Sequence, residues 1–235
     1  MSATPEGAYP GRELDIFQHA VNWKRYVADR VRGYIRGDVL EVGAGIGGTT
    51  RALWRPDVTS WTCLEPDAGM AGELALKLRS DGSPVKVLNT ALSQLAGDER
   101  YDTVLYMDVL EHIEDDRPEL EAAAARLRDG GHLVVLSPAH AWLFSPFDAA
   151  IGHFRRYTVR SARAAAPPEL ALVTAGYMDC VGMLASLGNK LILKSPTPNA
   201  AQVRFWDSVL VPLSRLADPI LRWRLGKSVL LVWRK

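Results

Sequence analysis

The sequence predicts an α/β fold in which a mostly parallel sheet carries helices on both faces. Short apolar runs alternate with amphipathic segments between residues 38 and 137, a pattern typical of parallel strands joined by right-handed helical crossovers. The first apolar run ends in a glycine-rich turn at 43–48, and acidic residues follow two later runs, at Glu65 and Asp108. Because the carboxyl ends of parallel strands share one edge of the sheet, these residues predict a ligand site at that edge.

The elements of the first part of the chain follow from its periodicity. Leu14 to Tyr34 is predicted to be a helix near the ligand site, since its apolar residues recur at steps of three and four. Residues 1–12, rich in Pro, Gly and small residues, are predicted to be disordered. Asp129-Gly130-Gly131 predicts a helix stop followed by a turn. The elements from 38 onward are predicted as strand 38–42, helix 47–54, strand 60–65, helix 67–79, strand 85–88, strand 102–107, helix 115–128 and strand 132–137.

The pattern loosens after Pro138, and the last two predicted strands are separated by about 50 residues. A hairpin turn needs far fewer residues, so this segment predicts a helical insertion. We therefore expect a single domain over 1–235, with an N-terminal helical segment (1–36) and the insertion (179–226). The predicted elements are a turn at 145–148, a loop with short helical pieces at 149–158, a strand from 169 to about 178, helices at about 180–194 and 200–223 split by Ser195-Pro196-Thr197-Pro198, and a strand at 228–233.

The composition limits the class of protein. The chain has 235 residues, 48% of them hydrophobic, which suits one α/β domain with a large core. The net charge of +1 gives no argument for a nucleic-acid partner. Cys63 and Cys180 lie in apolar contexts and predict buried free thiols. The N-terminus has no apolar signal core, and no run reaches the roughly 18 apolar residues of a membrane span, so we expect a cytoplasmic enzyme.

The glycine-rich turn leaves two classes of ligand open. Gly43-x-Gly45-x-x-Gly48 fits the dinucleotide fingerprint, and Glu65 lies about 20 residues further on, as expected of a ribose-binding acid. Glu41, however, places a carboxylate beside the turn, where it repels a pyrophosphate and favours a cation or an amine. Asp108 and Glu111 form a second acidic cluster after the fourth strand. These acids favour an adenosine ligand with a positively charged end over NAD.

Four sequence strings occur in register between about residues 20 and 160 and point to one family. They are Leu40-Glu41-Val42-Gly43-Ala44-Gly45-Ile46-Gly47, Leu64-Glu65-Pro66-Asp67, the segment from Tyr101 to Ile113, and the segment from Gly130 to Pro138. Together they resemble the class I S-adenosylmethionine-dependent methyltransferases. The string His153-Phe154-Arg155-Arg156-Tyr157 resembles a bacterial branch of the methyltransferase 23 kind. The resemblance implies a Rossmann-like, seven-stranded sheet with an antiparallel last strand, and S-adenosylmethionine as the cofactor.

The resemblance also implies which residues bind the cofactor. Backbone groups of the glycine turn are expected to hold the methionine part, and Glu65 to accept hydrogen bonds from both ribose hydroxyls. Met70 is expected on the adenine. Asn89 and Thr90 stand where relatives carry an adenine-binding acid, so backbone groups of the following residues are expected to replace it. The full expected set is Glu41, Gly43, Ala44, Gly45, Gly47, Glu65, Pro66, Met70, Ala91, Leu92, Asp108 and Val109.

The predicted chemistry is an in-line displacement at a carbon activated by positive sulfur, which needs an aligned nucleophile and, for a hydroxyl, a base. His153 or Asp148 is the predicted base. His112, Arg155, Arg156 and Tyr157 are predicted to bind an anionic or polyhydroxylated acceptor; the alternative is a loop pinned by arginine–carboxylate pairs. A zinc site from His140, Asp148 and His153 has unspecific spacing, and no metal is expected.

The C-terminal helices carry an apolar stripe followed by basic residues, including Arg222, Trp223 and Arg224. The stripe predicts a helix that packs on the sheet, on a second copy in a homodimer, or, through residues 200–227, on an anionic membrane. The predicted function is O-methylation of a small or lipid-linked metabolite of sugar or isoprenoid type, with no nucleic-acid partner. N- or C-methyl transfer, an NAD-dependent oxidoreductase and a non-catalytic binding module are the alternatives.

Overall fold

A computed structural model of the chain describes residues 17–80, 84–188 and 199–235. Seven strands form one sheet in the order β3-β2-β1-β4-β5-β7-β6. Strands β1 to β5 pair in parallel, and β7 is antiparallel to both β5 and β6. The strands are β1 (Asp38–Val42), β2 (Ser60–Leu64), β3 (Val85–Leu88), β4 (Tyr101–Met107), β5 (Leu127–Pro138), β6 (Ala171–Met178) and β7 (Ser228–Arg234). The predicted Rossmann-like sheet with an antiparallel last strand is confirmed.

The order of the strands reverses between β1 and β4, because β2 and β3 extend from one side of β1 while β4 and β5 extend from the other. In open α/β sheets a ligand binds in the crevice outside the carboxyl ends of the strands at such a switch point. The turn after β1 and the segment after β4 both lie there, which places the predicted site residues at one position in the fold.

Helices cover both faces of the sheet. On one face, Glu41, Trp61 and Cys63 of the strands lie under α1, α2, α3 and the C-terminal helices; on the other, Leu40 and Val42 pack with α4 and α6. The helices are α1 (Val21–Val31), α2 (Gly48–Leu53), α3 (Ala68–Ser80), α4 (Asp116–Arg126), α5 (Pro146–Ala150), α6 (Val159–Ala165), α7 (Cys180–Gly188), α8 (Ala200–Phe205) and α9 (Val211–Ile220), with a π-helical stretch, Trp206–Leu210, joining α8 to α9.

Several predicted boundaries were wrong. Helix α4 ends at Arg126, and Asp129-Gly130-Gly131 lies inside β5 instead of forming a turn, with Gly130 at φ +79° where the register of β4 and β5 shifts. The predicted turn at 145–148 begins helix α5, because Ser145 and Asp148 form a reciprocal capping box. Within the described residues, the predicted N-terminal helix corresponds to α1, which begins at Val21 and ends at Val31. The predictions for 1–12, for the start of that helix at Leu14 and for the breaker 195–198 lie outside the described residues.

Buried carboxylates attach the C-terminal helices to the rest of the fold. Asp218 accepts hydrogen bonds from the Tyr26 hydroxyl (2.7 Å) and from the backbone N–H groups of Asp179 (2.7 Å) and Cys180 (3.0 Å). Asp207 accepts the backbone N–H of Trp23 at 2.8 Å. Helix α1, the end of β6 and α9 are thus joined through side chains, since a buried carboxylate is stable only when its oxygens are paired. Extension of one domain over 1–235 stays a prediction.

Candidate active site

The turn after β1 is built by glycines in left-handed conformations. Gly43, Gly45 and Gly47 have φ of +67°, +56° and +82°, a region that other residues adopt at a cost. A Cβ at Gly43 would lie 2.7 Å from the side-chain methyl carbons of Val109, just after β4. Because Gly43 has no side chain, the turn after β1 can approach the segment after β4 closely at the switch point.

Glu65, the residue after β2, reaches across to this turn. Its Oε2 accepts the backbone N–H of Gly45 at 2.8 Å, and its Oε1 accepts the backbone N–H of Asp67 at 2.9 Å. Burial raises the pKa of Glu65, and the two N–H donors partly oppose that rise. Each carboxylate oxygen keeps a second lone pair, so the group can still accept hydrogen bonds from two hydroxyls of a ligand.

The same turn distinguishes between the two ligand classes. A pyrophosphate is held by backbone N–H groups at a glycine turn and a helix N-terminus. Here the N–H of Gly45 is donated to Glu65, that of Ala44 to the Leu64 carbonyl at 3.0 Å, and that of Gly47 to the Ala44 carbonyl at 3.0 Å. A turn with these donors satisfied, beside a buried carboxylate, fits a ribose and a cationic group better than a diphosphate. The residues present therefore fit S-adenosylmethionine.

Glu41 is placed differently from its prediction beside the ligand. It is fully buried on the α1 side of the sheet, where its Oε2 accepts the indole N–H of Trp61 at 2.9 Å and lies 3.6 Å from the Cys63 thiol. Burial raises its pKa to about 7. Successive residues of a strand point to opposite faces, and Glu41 shares the face of Val39, away from Leu40 and Val42. The geometry assigns Glu41 a packing role, which corrects its expected contact with a cation.

The expected adenine side lies after β2 and β3. Met70 is half-buried at the start of α3, Pro66 is exposed, and Leu92 is buried in the core, so only its backbone can face a ligand. The Asn89 side-chain amide donates to the backbone carbonyls of Glu65 and Pro66, both at 2.9 Å. The sequence prediction treated Asn89 as a departure from the family pattern and missed this contact, which fixes the segment after β2. The cofactor contacts of Met70, Ala91 and Leu92 stay predictions.

Asp108 follows β4 at φ +57° and is open to solvent. Desolvation nevertheless raises its pKa to about 6, with the charges of His153 and Lys227 opposing the rise, so protein groups surround it closely. An accessible carboxylate in an enclosed setting faces a cleft. Asp108 therefore lies between the two parts of the site: its neighbour Val109 lies against Gly43 of the glycine turn, and His153 of the acceptor side is close enough to affect its pKa.

The acceptor side is centred on a buried histidine–aspartate pair. His153 Nδ1 lies 2.9 Å from Asp148 Oδ1, and Arg156 binds both oxygens of Asp148, at 2.8 and 3.0 Å. The backbone N–H and hydroxyl of Ser145 donate to Oδ2 at 2.8 and 2.7 Å. Burial alone would raise the pKa of Asp148, but the bonds from His153 and Arg156 hold it well below its usual range. Asp148 is thus a fixed anion that orients His153, which corrects its candidacy as the base.

Arg155, Arg156 and Tyr157, which follow His153 in the sequence, mainly hold the loop. Arg156 is committed to Asp148; Arg155 pairs with Asp116 at 3.0 Å and donates to the Glu114 carbonyl. The Tyr157 hydroxyl is buried and donates to Asp116 at 2.8 Å. The acceptor-binding roles predicted for Arg155, Arg156 and Tyr157 are therefore corrected, and the alternative of a loop pinned by arginine–carboxylate pairs describes the geometry.

A second group that the sequence analysis did not assemble lies against His153. Glu111 and His112 occupy a 3-10 turn, Leu110–His112, and the His112 and His153 rings meet edge to face with centroids 4.5 Å apart. Burial and the charge of His153 lower the pKa of His112 to about 4. Glu111 and His112 are neighbours in the sequence. Their proximity to His153 depends on the loop after β5, which the sequence analysis could not place. His140 instead stacks on Tyr177, with ring centroids 4.7 Å apart.

Residues 40–133 match the family model described as "Methyltransferase domain". The match runs from β1 into β5 and covers less than half of the chain. It confirms the predicted resemblance to S-adenosylmethionine-dependent methyltransferases, whereas the methyltransferase 23 branch stays a prediction. The chain is 28% identical over 134 residues to a ubiquinone biosynthesis O-methyltransferase of Cronobacter sakazakii (strain ATCC BAA-894), covering 54% of the chain. The chain spans about half, 55%, of the length of that relative.

Solved structures of methyltransferases share the fold of this chain. An S-adenosylmethionine-dependent methyltransferase from Clostridium acetobutylicum ATCC 824 superposes with a TM-score of 0.58 at 10% identity, covering 91% of this chain and 90% of that one. The N-methyltransferase NodS from Bradyrhizobium japonicum WM9 gives 0.59 at 16% identity, covering 93% and 98%. Coclaurine N-methyltransferase bound to N-methylheliamine and SAH gives 0.62 at 13%, covering 92% and 72%. The class I fold is confirmed.

Proposed function

We propose that the chain binds S-adenosylmethionine and transfers its methyl group to an oxygen atom of a small or lipid-linked acceptor of sugar or isoprenoid type. The observation that carries this proposal is the 2.8 Å hydrogen bond from the Gly45 N–H to Glu65 Oε2. It uses the donor that a diphosphate would need and fixes a carboxylate where ribose hydroxyls are expected. The cofactor supplies a methyl carbon made electrophilic by the adjacent sulfonium.

His153 is proposed as the base. Its Nδ1 is held by Asp148, which leaves Nε2 to take the proton of an acceptor hydroxyl. His153 would take the hydroxyl proton of the acceptor as its oxygen gains the methyl group, with S-adenosylhomocysteine as the leaving product. Asp148 stabilises the resulting imidazolium, as a buried orienting carboxylate does. His112 is proposed to contact the acceptor beside His153.

The acceptor atom is argued from the curated relative, which is named an O-methyltransferase of ubiquinone biosynthesis. A matching substrate class is a hydroxylated ring that carries an isoprenoid chain. N- or C-methyl transfer uses the same cofactor geometry, so a set of acceptors that differ only in the attacking atom separates the three.

A lipid-linked acceptor is supported by the surface of the C-terminal helices. Phe205, Val209, Leu213, Leu216 and Ile220 recur at steps of three and four and are exposed, with Ile220 at 82%. The exposed Arg204, Arg222 and Arg224 lie among or beside them. An apolar face with basic neighbours suits a membrane interface that contains anionic lipid. No helix among the described residues is long and apolar enough to cross a membrane. We propose a cytoplasmic enzyme with peripheral membrane contact.

The tryptophans do not take part in that face as the sequence suggested. Trp206 is buried against α1, and the Arg30 guanidinium lies 4.1 Å above the ring of Trp223. The proposed contact is therefore carried by the aliphatic residues and Phe205.

Calorimetry tests the cofactor first. We expect heat on addition of S-adenosylmethionine and S-adenosylhomocysteine and none with NAD. An absence of binding to both sulfur nucleosides contradicts the proposed function. With a phenol that carries an isoprenoid chain, we expect release of S-adenosylhomocysteine, and less with the same phenol without the chain. An isosteric amine methylated faster than the phenol would reassign the acceptor atom.

His153→Gln tests the base. Loss of a general base costs about 10²- to 10⁴-fold in kcat, so we expect a loss in that range with unchanged S-adenosylhomocysteine affinity. His132→Gln is the matched control, because His132 is a half-buried histidine at the start of the β5–β7 pairing, away from the strand ends of the site. Equal kcat values for the two variants would remove His153 as the base.

Vesicle flotation tests the membrane face. We expect binding to vesicles that contain anionic lipid at low salt, and its loss in Leu216→Asp. Leu76→Asp is the control, because Leu76 is similarly exposed, 69% against 71%, but lies on α3. A dimer in sedimentation that Leu216→Asp dissociates, without vesicle binding, would assign the face to a second copy instead.

A further inference from the structure

The buried carboxyl group of Glu111 has no well-formed hydrogen bond among the described residues. Its side chain is fully buried, and neither Oε1 nor Oε2 has a partner within hydrogen-bond geometry; the Ser137 hydroxyl and the charge of Arg156 only partly oppose the rise in its pKa that burial causes. A buried carboxyl that is so weakly paired is unfavourable, so an occupant that pairs it is expected. Two histidines lie beside this carboxyl group: one possible ligand atom from each of Glu111, His112 and His153 lies within 4.8 Å of the other two.

The distances fit an ion better than a direct hydrogen bond. His153 Nε2 lies 3.9 Å from Glu111 Oε1, which is too long for a hydrogen bond. Two ligands that each lie about 2.1 Å from one metal ion are separated by at most about 4.2 Å. The His153–Glu111 pair meets this limit, and the ligand atoms of all three residues lie within 4.8 Å of one another.

Both histidines also have the outer partners that metal ligands usually have. The second ring nitrogen of a ligating histidine is generally held by a carboxylate or a backbone carbonyl, which fixes the ring. His153 uses Nδ1 for Asp148, itself held by Arg156 and Ser145, and His112 hydrogen-bonds to the backbone of Gly152. For His153, the bond to Asp148 leaves Nε2 on the side of Glu111, 3.9 Å from its Oε1.

We propose that Glu111, His112 and His153 bind one divalent transition-metal ion of the Zn²⁺ type. Two imidazoles and one carboxylate form a donor set that such ions prefer over Mg²⁺ or Ca²⁺, and three protein ligands leave a coordination position open. The accessible carboxylate of Asp108 adds negative charge beside it. Arg156 is paired with Asp148, and its charge lowers the pKa of Glu111 less than burial raises it.

A role for the ion in catalysis rests on the proposed function, whereas its binding does not. The open position lies where an acceptor hydroxyl would meet His153. An ion there lowers the pKa of a bound hydroxyl, whose proton then passes to solvent, and the resulting oxygen anion is the nucleophile. In that form His153 is a ligand, and the ion replaces it in activating the hydroxyl.

The test uses the full chain without an affinity tag, stripped with a chelator and titrated separately with Zn²⁺, Co²⁺ and Mg²⁺. We expect one Co²⁺ per chain with a visible absorption band, displacement of Co²⁺ by Zn²⁺, and little binding of Mg²⁺. Glu111→Gln keeps the shape of the side chain, and we expect it to lower Zn²⁺ affinity at least tenfold. His153→Gln is a second variant with the same expectation, and His132→Gln is the control.

Wild-type protein that binds no more Zn²⁺ or Co²⁺ than Glu111→Gln overturns the proposal and leaves Glu111 as a protonated, unpaired acid. S-adenosylhomocysteine binding is measured by calorimetry on stripped and loaded protein in parallel. Loss of that binding in both forms defeats the proposed function and leaves the metal result standing. With the metal bound, kcat that is equal in Glu111→Gln and wild type defeats the catalytic role of the ion alone.

Discussion

The buried carboxylates on the two sides of the switch point are held in different ways. On the β1–β3 side, Glu65 is held by two backbone N–H groups, those of Gly45 and Asp67, within a segment where glycines set the path of the chain. On the β4–β7 side, Asp148 is held largely by the side chains of Ser145, His153 and Arg156. Asp218 is held by residues far apart in sequence, the Tyr26 hydroxyl 192 positions away and the backbone N–H groups of Asp179 and Cys180.

This difference indicates which substitutions should affect ligand binding and which should affect stability in each half of the site. A carboxylate held by backbone groups depends on the conformation of its turn, so substitutions of glycine should affect ligand binding more than stability. A carboxylate shared by several buried groups depends on all of them, and removing it or one of its partners leaves buried groups unpaired. The acceptor half should therefore lose stability first.

Asp218→Ala is expected to have the largest effect. It leaves the Tyr26 hydroxyl and the N–H groups of Asp179 and Cys180 without their acceptor, so we expect a loss of about 3–5 kcal/mol in the free energy of unfolding. Denaturant unfolding measures it. Asp98→Ala, at an exposed position, is the control and should change stability by less than about 0.5 kcal/mol. Similar losses for the two variants would contradict the role given to Asp218.

Glu41→Gln is expected to stabilise the protein at high pH. The folded-state pKa of Glu41 is raised from 4.5 to about 7 by burial, so the folded state keeps a proton that the unfolded state releases between these values. Its contribution to stability is therefore present below about pH 4.5 and is lost as the pH rises to 7, by about 3 kcal/mol.

Unfolding at pH 5 and pH 8 measures this effect: the gain in Glu41→Gln over wild type should be larger at pH 8. Because Glu41 faces away from the ligand, S-adenosylhomocysteine affinity should stay unchanged. A weakened affinity would instead indicate that Glu41 contacts the cofactor, as the sequence analysis predicted.

Gly43→Ala is expected to weaken the cofactor half. Alanine at φ +67° is strained, and its Cβ would lie 2.7 Å from the Val109 methyls, so we expect a loss of about 1–3 kcal/mol and an S-adenosylhomocysteine affinity at least tenfold lower. Gly72→Ala is the control, because Gly72 lies in α3 with open space at its Cβ and should be stabilised slightly. Unchanged S-adenosylhomocysteine affinity in Gly43→Ala would show that the turn does not contribute to the ligand site.

Glu65→Gln is expected to have the smallest effect on stability and a selective effect on binding. The amide loses one acceptor atom, so we expect affinity for the nucleoside to fall about tenfold, with a change in unfolding free energy of about 1 kcal/mol. Because burial raises the pKa of Glu65, wild-type affinity should fall on acidification at a higher pH than for an exposed glutamate. Calorimetry across pH checks this, and a pH-independent affinity that Glu65→Gln shares would exclude the ribose contact.

The first half of the site was open to prediction because its parts are adjacent in sequence. Gly43 to Gly47 follow β1 directly and Glu65 follows β2 directly, so strand polarity alone brings them to one edge. Glu41 was misplaced because the strand period of two decides its face, and the side that carries the ligand depends on helices packed later in the chain.

The second half could not be predicted in the same way. The string from His153 to Tyr157 was singled out, but whether its arginines face an acceptor or Asp148 and Asp116 depends on where α5 and the segment after β4 meet. Asn89, Asp179 and Asp218 give no signal in isolation, because their partners lie in other elements of the chain.

By itself, the sequence determined the α/β fold, the alternation of strands and helices in its first half and the glycine–carboxylate cofactor edge, because periodicity and turn chemistry are local properties. Only the tertiary structure decided that Glu111, His112 and His153 meet, that Asp148 is a fixed anion, and that buried Asp207 and Asp218 secure the C-terminal helices. Those outcomes depend on pairing between distant buried charges, whose free energy is set by the burial and partners that folding supplies.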